Sequence, residues 1–204
     1  NTTIAFIAQV TAILMGFFTR VVFTRTLSEG YVGINGLFTD ILNILSLSEL
    51  GVGTAITYAL YAPIARRDIK KQQILMRMFR NFYRITAGFV VLAGLCLIPF
   101  LDILMKDRPD VNHLIIIYLL YLLNSVVSYL LIYKKTLVDA HQMNYITVMY
   151  HNGFLVLQDI LQMMVLFLTR NFILFLVIAV VCTIIGNICM SRKADRLFPY
   201  LKEP

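Results

Sequence analysis

Six stretches of this sequence are each long and apolar enough to cross a bilayer: residues 3–23, 34–61, 84–100, 114–133, 145–168 and 172–190. A hydrocarbon core of ~30 Å takes about 20 helical residues to cross. Backbone amides that enter lipid must be satisfied within their own segment, so an open chain of such runs has to be helical. The expected fold is therefore all-α, a polytopic membrane protein of six transmembrane helices. Composition agrees: 59% of residues are apolar and only 14% charged, with a mean hydropathy of +0.79, whereas soluble domains carry roughly 25% charged residues.

The first run is full length and leads into further apolar runs, so it reads as a span and not as a cleaved signal peptide. The chain opens on Asn1 and closes on the charged stretch SRKADRLFPYLKEP, which reads as a segment of something longer. Residues 62–84, 134–144 and 191–204 together hold thirteen Lys and Arg, against four in the alternate connections, Arg25, Lys106, Arg108 and Arg170. Short connections rich in Lys and Arg stay cytoplasmic, which predicts that the N-terminus and C-terminus of this segment both lie inside. Between the second and third spans, RRDIKKQQILMRMFRNFYR sets Leu75, Met78, Phe79 and Phe82 on one face and Lys70, Arg77 and Arg84 on another. That is an amphipathic helix at the cytoplasmic surface, either a positive-inside anchor or a collar for anionic headgroups.

Several spans carry polar stripes. In the second, GLFTDILNILSLSELGVG, 100° per residue places Asn43, Ser46, Gly53, Thr54 and Thr57 on one half, with Asp40 and Glu49 at its margins and Ser48 opposite. The two carboxylates lie ~13 Å apart along the axis, which argues against a paired acid–base site. The first span aligns Thr2, Ala5, Gln9, Ala12, Gly16 and Thr19, a stripe that would let another helix backbone approach closely. Arg20 adjoins its end and Arg25 follows. A cation at the edge of a span must snorkel, pair or stay wet, and Asp40 is close enough in sequence to be the counter-ion. The fifth span repeats Asn144, Thr147, His151, Gln158 and Gln162 along one line, with Asp159 beside it. The fourth is milder, with Tyr121, Asn124, Ser125 and Ser128; the third and sixth are apolar nearly all round. Spans one, two, four and five are thus expected to share a hydrophilic interior, with three and six outside it against lipid.

Nothing in the sequence reads as catalytic. No HExxH, GxSxG or GxxxxGK[ST] occurs, and the isolated GVG at Gly51–Gly53 is no dinucleotide fingerprint. His113, His141 and His151 fall in three different environments, the last two about 80° apart on a helix, which does not make a metal pair. His151 is read either as a hydrogen-bonded structural residue or as a cavity-lining one. Cys96, Cys182 and Cys189 fall inside spans and read as small apolar packing residues. No cofactor, no metal and no nucleic-acid module is expected, and the chain reads as a non-enzyme.

The stretch RTLSEGYVGINGLFTDILNILSLSELGVGTAITYALYAPIARRD resembles the first-loop and second-helix region of Wzx-type polysaccharide flippases, members of the multidrug/oligosaccharidyl-lipid/polysaccharide exporter superfamily. The matching elements are Arg25, SEGYVGINGL, SELGVGTAI with Glu49, and ALYAPIARRD; LVDAHQMNYI is similar to the family's short cytoplasmic segment after the fourth helix. The resemblance is strong over residues 20–84 and about 134–146 and only topological elsewhere. It implies the N-terminal six-helix bundle of a two-bundle transporter in a bacterial cytoplasmic membrane, with a partner bundle in the same polypeptide. The implied cargo is an undecaprenyl-diphosphate-linked oligosaccharide moved across the membrane for surface polysaccharide assembly. On that reading Arg20 and Arg25 meet the diphosphate, and Asp40 or Glu49 pairs with them between steps. Asn43, Ser46, Gln158 and Gln162 offer hydrogen bonds to sugar hydroxyls. At Glu49 a role in docking the second helix on the first is equally open.

Two other classes remain. A cation-coupled drug exporter of the same superfamily would need a carboxylate deep in its first helix, and this one has none. A membrane glycosyltransferase or ligase would need a large outer loop, and the longest here, Asp102–His113, is too short to fold separately.

Overall fold

A computed structural model describes residues 2–46, 52–101, 105 and 113–202. These are helical throughout, with no strand among the described residues. The helices are α1 (Thr2–Thr26), α2 (Glu29–Ser46), α3 (Val52–Ala65), α4 (Ile69–Leu97), α5 (Leu114–Leu130), α6 (Ile132–Ala140), α7 (Asn144–Thr169) and α8 (Phe172–Leu197). Short 3₁₀ turns follow α4 at Ile98–Phe100 and α8 at Pro199–Lys202. Four of these helices, α1, α4, α7 and α8, are long and apolar enough to cross a membrane; α5 and α6, bent by 42°, make a fifth if taken as one broken span. The chain is that of a multi-pass membrane protein.

Two boundaries differ from expectation, each for a local reason. The expected second span holds α2, which ends at Ser46, and α3, which begins at Val52, with residues 47–51 outside the described residues. The amphipathic segment and the third span are one continuous helix, α4. Asp68 caps its start, accepting from the Lys71 amide at 3.0 Å, and no proline interrupts it before Pro99. Its 29 residues run about 43 Å, longer than the ~30 Å of hydrocarbon, so the helix is long enough for its basic first turns to lie outside the hydrocarbon. The fourth span bends at Leu131, whose backbone (φ −124°, ψ 6°) leaves the helical region, and continues as α6 beneath the other helices.

The two ends of the bundle are closed differently. At one, α7 stops on Arg170 in the left-handed region (φ 50°), and Asn171 caps α8 by accepting from the amides of Ile173 and Leu174 at 2.9 and 3.3 Å. Phe23 of α1, Tyr31 of α2, and Phe172 and Phe175 of α8 pack there as an aromatic cluster, centroids 5.2–5.9 Å apart. At the other end Lys134 of α6 pairs with Asp195 of α8 at 2.8 Å and also donates to Ser191 at 2.8 Å. Gln72 Nε2 donates to the Pro63 carbonyl at 3.2 Å, Tyr200 Oη donates to Gln72 Oε1 at 2.6 Å, and Gln73 Nε2 donates to the Tyr200 carbonyl at 2.6 Å. These bonds tie the chain end to α3 and α4. Most of the Lys and Arg lie in the segments that meet at this second end.

The neighbours of each helix revise the expected arrangement. The α1 stripe does what small residues allow: Ala12 and Thr19 are buried and Gly16 lies against α7, while Phe6, Ile13 and Phe17 on the far side are exposed. α8, expected outside the polar interior, is central instead and packs on α5, α6 and α7. Its burial is not a matter of hydrophobicity, because lipid is as apolar as leucine and confers no preference for the core.

Candidate functional site

Polar side chains collect in two places, an open face of α2 and a cavity among α5, α6, α7 and α8. On α2, Ile34, Phe38, Ile41 and Leu42 are buried, and Phe38 packs edge-on against Tyr118 and Tyr121 of α5, with centroids at 5.1 and 5.8 Å. Asn35 accepts a short hydrogen bond from the Tyr121 hydroxyl, which locks the same side of α2 onto α5. The opposite side carries Glu29, Gly33, Gly36, Asp40 and Asn43 at 4-3-4-3 spacing, one stripe at 3.6 residues per turn. Glu29, Gly33, Asp40 and Asn43 are exposed and Gly36 partly so. A Cβ added at Gly33 or Gly36 would meet nothing within 4 Å. Among the described residues this face therefore packs on no other helix.

The expected site residues are dispersed across several settings. Asp40 and Asn43 lie on the open α2 face. Ser46 closes α2, its side chain outside the described residues, and Glu49 lies outside them altogether. Arg20 is exposed on α1 and sits over the Phe23 ring, 5.5 Å from its centroid, a cation–π arrangement that steadies the guanidinium; its charge reaches the Tyr121 hydroxyl. Arg25 is exposed in the last turn of α1. Neither arginine is ion-paired with Asp40 among the described residues, so the expected counter-ion contact is not made in this conformation.

The α7 stripe separates into glue and lining. Gln162 is buried and donates to the Phe175 carbonyl of α8 at 3.0 Å, which commits its amide nitrogen to helix packing. Asp159 faces α1, its carboxylate 3.9 Å from where a Cβ on Gly16 would stand. Beside it Asn152, which the sequence reading passed over, is buried and donates to Gln9 Oε1 at 2.8 Å. Thr147 is buried and donates to Asp139 Oδ1 at 2.6 Å. His151 and Gln158 line the cavity, whose volume is about 370 Å³, within the usual range for small-ligand sites. Asn124 and Ser128 of α5, Lys135 of α6, and Thr183 and Asn187 of α8 complete its polar lining. Lys135, Thr183 and Asn187 were not expected there. The first sits in a segment that reads as a plain cytoplasmic connection, and the other two interrupt a helix that is otherwise apolar.

The arrangement offers cations, amides and hydroxyls in a membrane bundle. Among the described residues no three His, Cys, Asp or Glu side chains are grouped to hold a metal, and the three thiols are free. The class so defined is a helical multi-pass membrane bundle with one unpartnered polar face and one internal polar cavity. No family model, curated protein or solved structure matches the chain.

Proposed function

We propose that this chain is the N-terminal bundle of a lipid-linked oligosaccharide flippase, with six membrane crossings in which α2 is the second and α5–α6 the fourth. The observation that carries the reading is the open stripe of α2. A carboxylate facing lipid at mid-membrane costs roughly 2.5–3.5 kcal/mol on insertion scales, and Glu29, Asp40 and Asn43 share one stripe that is exposed among the described residues. Such a face is tolerable if it borders water, and two bundles meeting across a hydrated path supply that water. Arg20 and Arg25 lie on the neighbouring helix, exposed, where a passing diphosphate would be within reach of charge-assisted hydrogen bonds. The chemistry needed for flipping is binding and release, and the face holds donors and charges without a nucleophile–base pair. The resemblance through residues 20–84 points the same way.

The test is a cell lacking the full-length protein, complemented with wild type or with Arg20→Ala, Arg25→Ala or Asp40→Ala at equal protein levels. Lipid-linked glycans are measured by mass spectrometry, with each leaflet labelled separately. The reading expects complete glycan to accumulate on the cytoplasmic leaflet in the null strain and in the arginine variants. A shortened glycan, or a complete one already outside, would show that the protein builds or joins sugars and would end the proposal.

A further inference from the structure

The cavity among α5–α8 takes no residue from α1 or α2, so what it binds is a separate question from export. Its lining is selective in what it leaves unmet. Lys135 makes no ion pair or hydrogen bond among the described residues, while its neighbour Lys134 is held by Asp195 and Ser191. The nearby carboxylate, Asp139, takes the Thr147 hydroxyl at 2.6 Å and attracts Lys135 electrostatically without reaching ion-pair distance. A lysine in a membrane bundle is stable only when wet or paired, and Lys135 lines a space large enough for a ligand.

The remaining groups say what kind of ligand. Asn124 Oδ1 has no hydrogen-bond partner but is sealed from solvent, so it does not face the open volume. Asn187 Nδ2 donates to the Val127 carbonyl at 3.0 Å, leaving its amide oxygen as an acceptor. Ser128 donates to the Ser125 carbonyl at 2.6 Å, which leaves its oxygen to accept as well. Inorganic phosphate would satisfy Lys135, but its one or two P–OH groups are held on the phosphorus and do not extend to these oxygens as polyol hydroxyls do. A neutral polyol would satisfy the oxygens and leave the ammonium unpaired. A molecule carrying both a negative phosphoryl group and hydroxyl donors satisfies both sets. Tyr150 and Phe154 form an apolar wall alongside.

We infer that this cavity binds a phosphorylated polyol, the phosphoryl group on Lys135 and the hydroxyls on Ser128 and Asn187. Two sources share that chemistry, a free polyol phosphate and the headgroup of a glycerol-bearing anionic phospholipid.

The experiment uses the full-length protein in phosphatidylcholine nanodiscs and follows its unfolding midpoint against glycerol 3-phosphate, inorganic phosphate and glycerol. A parallel set of nanodiscs contains phosphatidylglycerol. Either glycerol 3-phosphate or phosphatidylglycerol should raise the midpoint, and inorganic phosphate and glycerol should each act at least tenfold more weakly. Response to the soluble probe identifies a free metabolite; response to phosphatidylglycerol alone identifies a headgroup. In both cases Lys135→Met should weaken the response at least tenfold and Lys135→Arg should retain most of it. Asn187→Leu should weaken glycerol 3-phosphate or phosphatidylglycerol while leaving any phosphate response unchanged, and it decides the matter if Lys135→Met does not fold. No response to any probe, equal responses to phosphate and glycerol 3-phosphate, or indifference to Lys135→Met and Asn187→Leu would overturn the assignment. None of these outcomes depends on whether glycans are flipped.

Discussion

Gly94 and Gly88 lie on the same helix, α4, and the structure predicts opposite consequences for the same substitution. At Gly94 an added Cβ would stand 2.4 Å from Leu122 Cδ1 and 2.9 Å from its Cδ2. Leu122 is 4% exposed, so its side chain has little room to retreat. The Gly94 carbonyl also accepts from the Tyr118 hydroxyl at 2.8 Å, which fixes α4 against α5 at this level. Overpacking of this kind costs about 1–3 kcal/mol, and alanine returns up to about 1 kcal/mol in helix propensity. With the full propensity return, Gly94→Ala should therefore destabilise by up to about 2 kcal/mol. At Gly88 a Cβ meets nothing within 4 Å, so only the propensity gain applies and Gly88→Ala should be neutral or stabilising by up to about 1 kcal/mol. At 2–4 °C per kcal/mol for a chain of this size, the two variants should differ by several degrees in thermal unfolding in detergent. Gly94→Ala combined with Leu122→Ala should cost less than the two changes summed, because the second removes the clash. A Gly94→Ala protein as stable as Gly88→Ala would refute the packing of α4 on α5.

Three further outcomes follow from other contacts. A double-mutant cycle on Gln9→Ala and Asn152→Ala should give a coupling of about 0.6 kcal/mol, at most about 1.7, typical of hydrogen bonds between membrane helices; zero coupling would mean α1 does not meet α7 at this register. Lys134→Met leaves Asp195 partly buried without its cation, and should cost about 1.5–3 kcal/mol, measured by denaturation, with Lys134→Met/Asp195→Leu recovering part of it. Burial pushes the Tyr200 phenol above its ordinary value, because desolvation disfavours the phenolate. The stability linked to the protonated form should be fully present below about pH 10 and fade as pH rises through the folded-state value; Tyr200→Phe should remove the alkaline dependence, read by tyrosinate absorbance.

What the sequence made legible was the helical class and the approximate extent of α1, α7 and α8, because long apolar runs are local signals. Which helix meets which was not legible, and the polar stripes show why. Ala12, Gly16 and Thr19 on α1 and Gly33, Gly36 and Asp40 on α2 follow the same helical spacing with residues of the same kind. The first set is covered by α7, and the second is open. Periodicity reports that a face differs from lipid, not what lies against it. The same limit hid the cavity: Asn187 and Thr183 each interrupt an apolar helix once and form no stripe, and Lys135 enters only because the chain bends at Leu131. The continuity of α4 was missed because a change from amphipathic to apolar was read as a boundary, although nothing in the backbone breaks there.

The measurement closest to the central claim is water access to the open face of α2. In the full-length protein, with Cys96, Cys182 and Cys189 replaced by alanine, single cysteines are placed at Gly33, Asp40 and Asn43, at buried Ile41, and at exposed apolar Phe17 of α1. A membrane-impermeant thiol reagent is applied to intact membranes and to inverted vesicles. The account predicts labelling at Gly33, Asp40 and Asn43 from at least one side, with Ile41 and Phe17 protected as packed and lipid-facing positions. Protection of all three α2 positions on the scale of Phe17 would place that stripe in lipid or in dry contact. It would contradict the hydrated path on which the export reading depends.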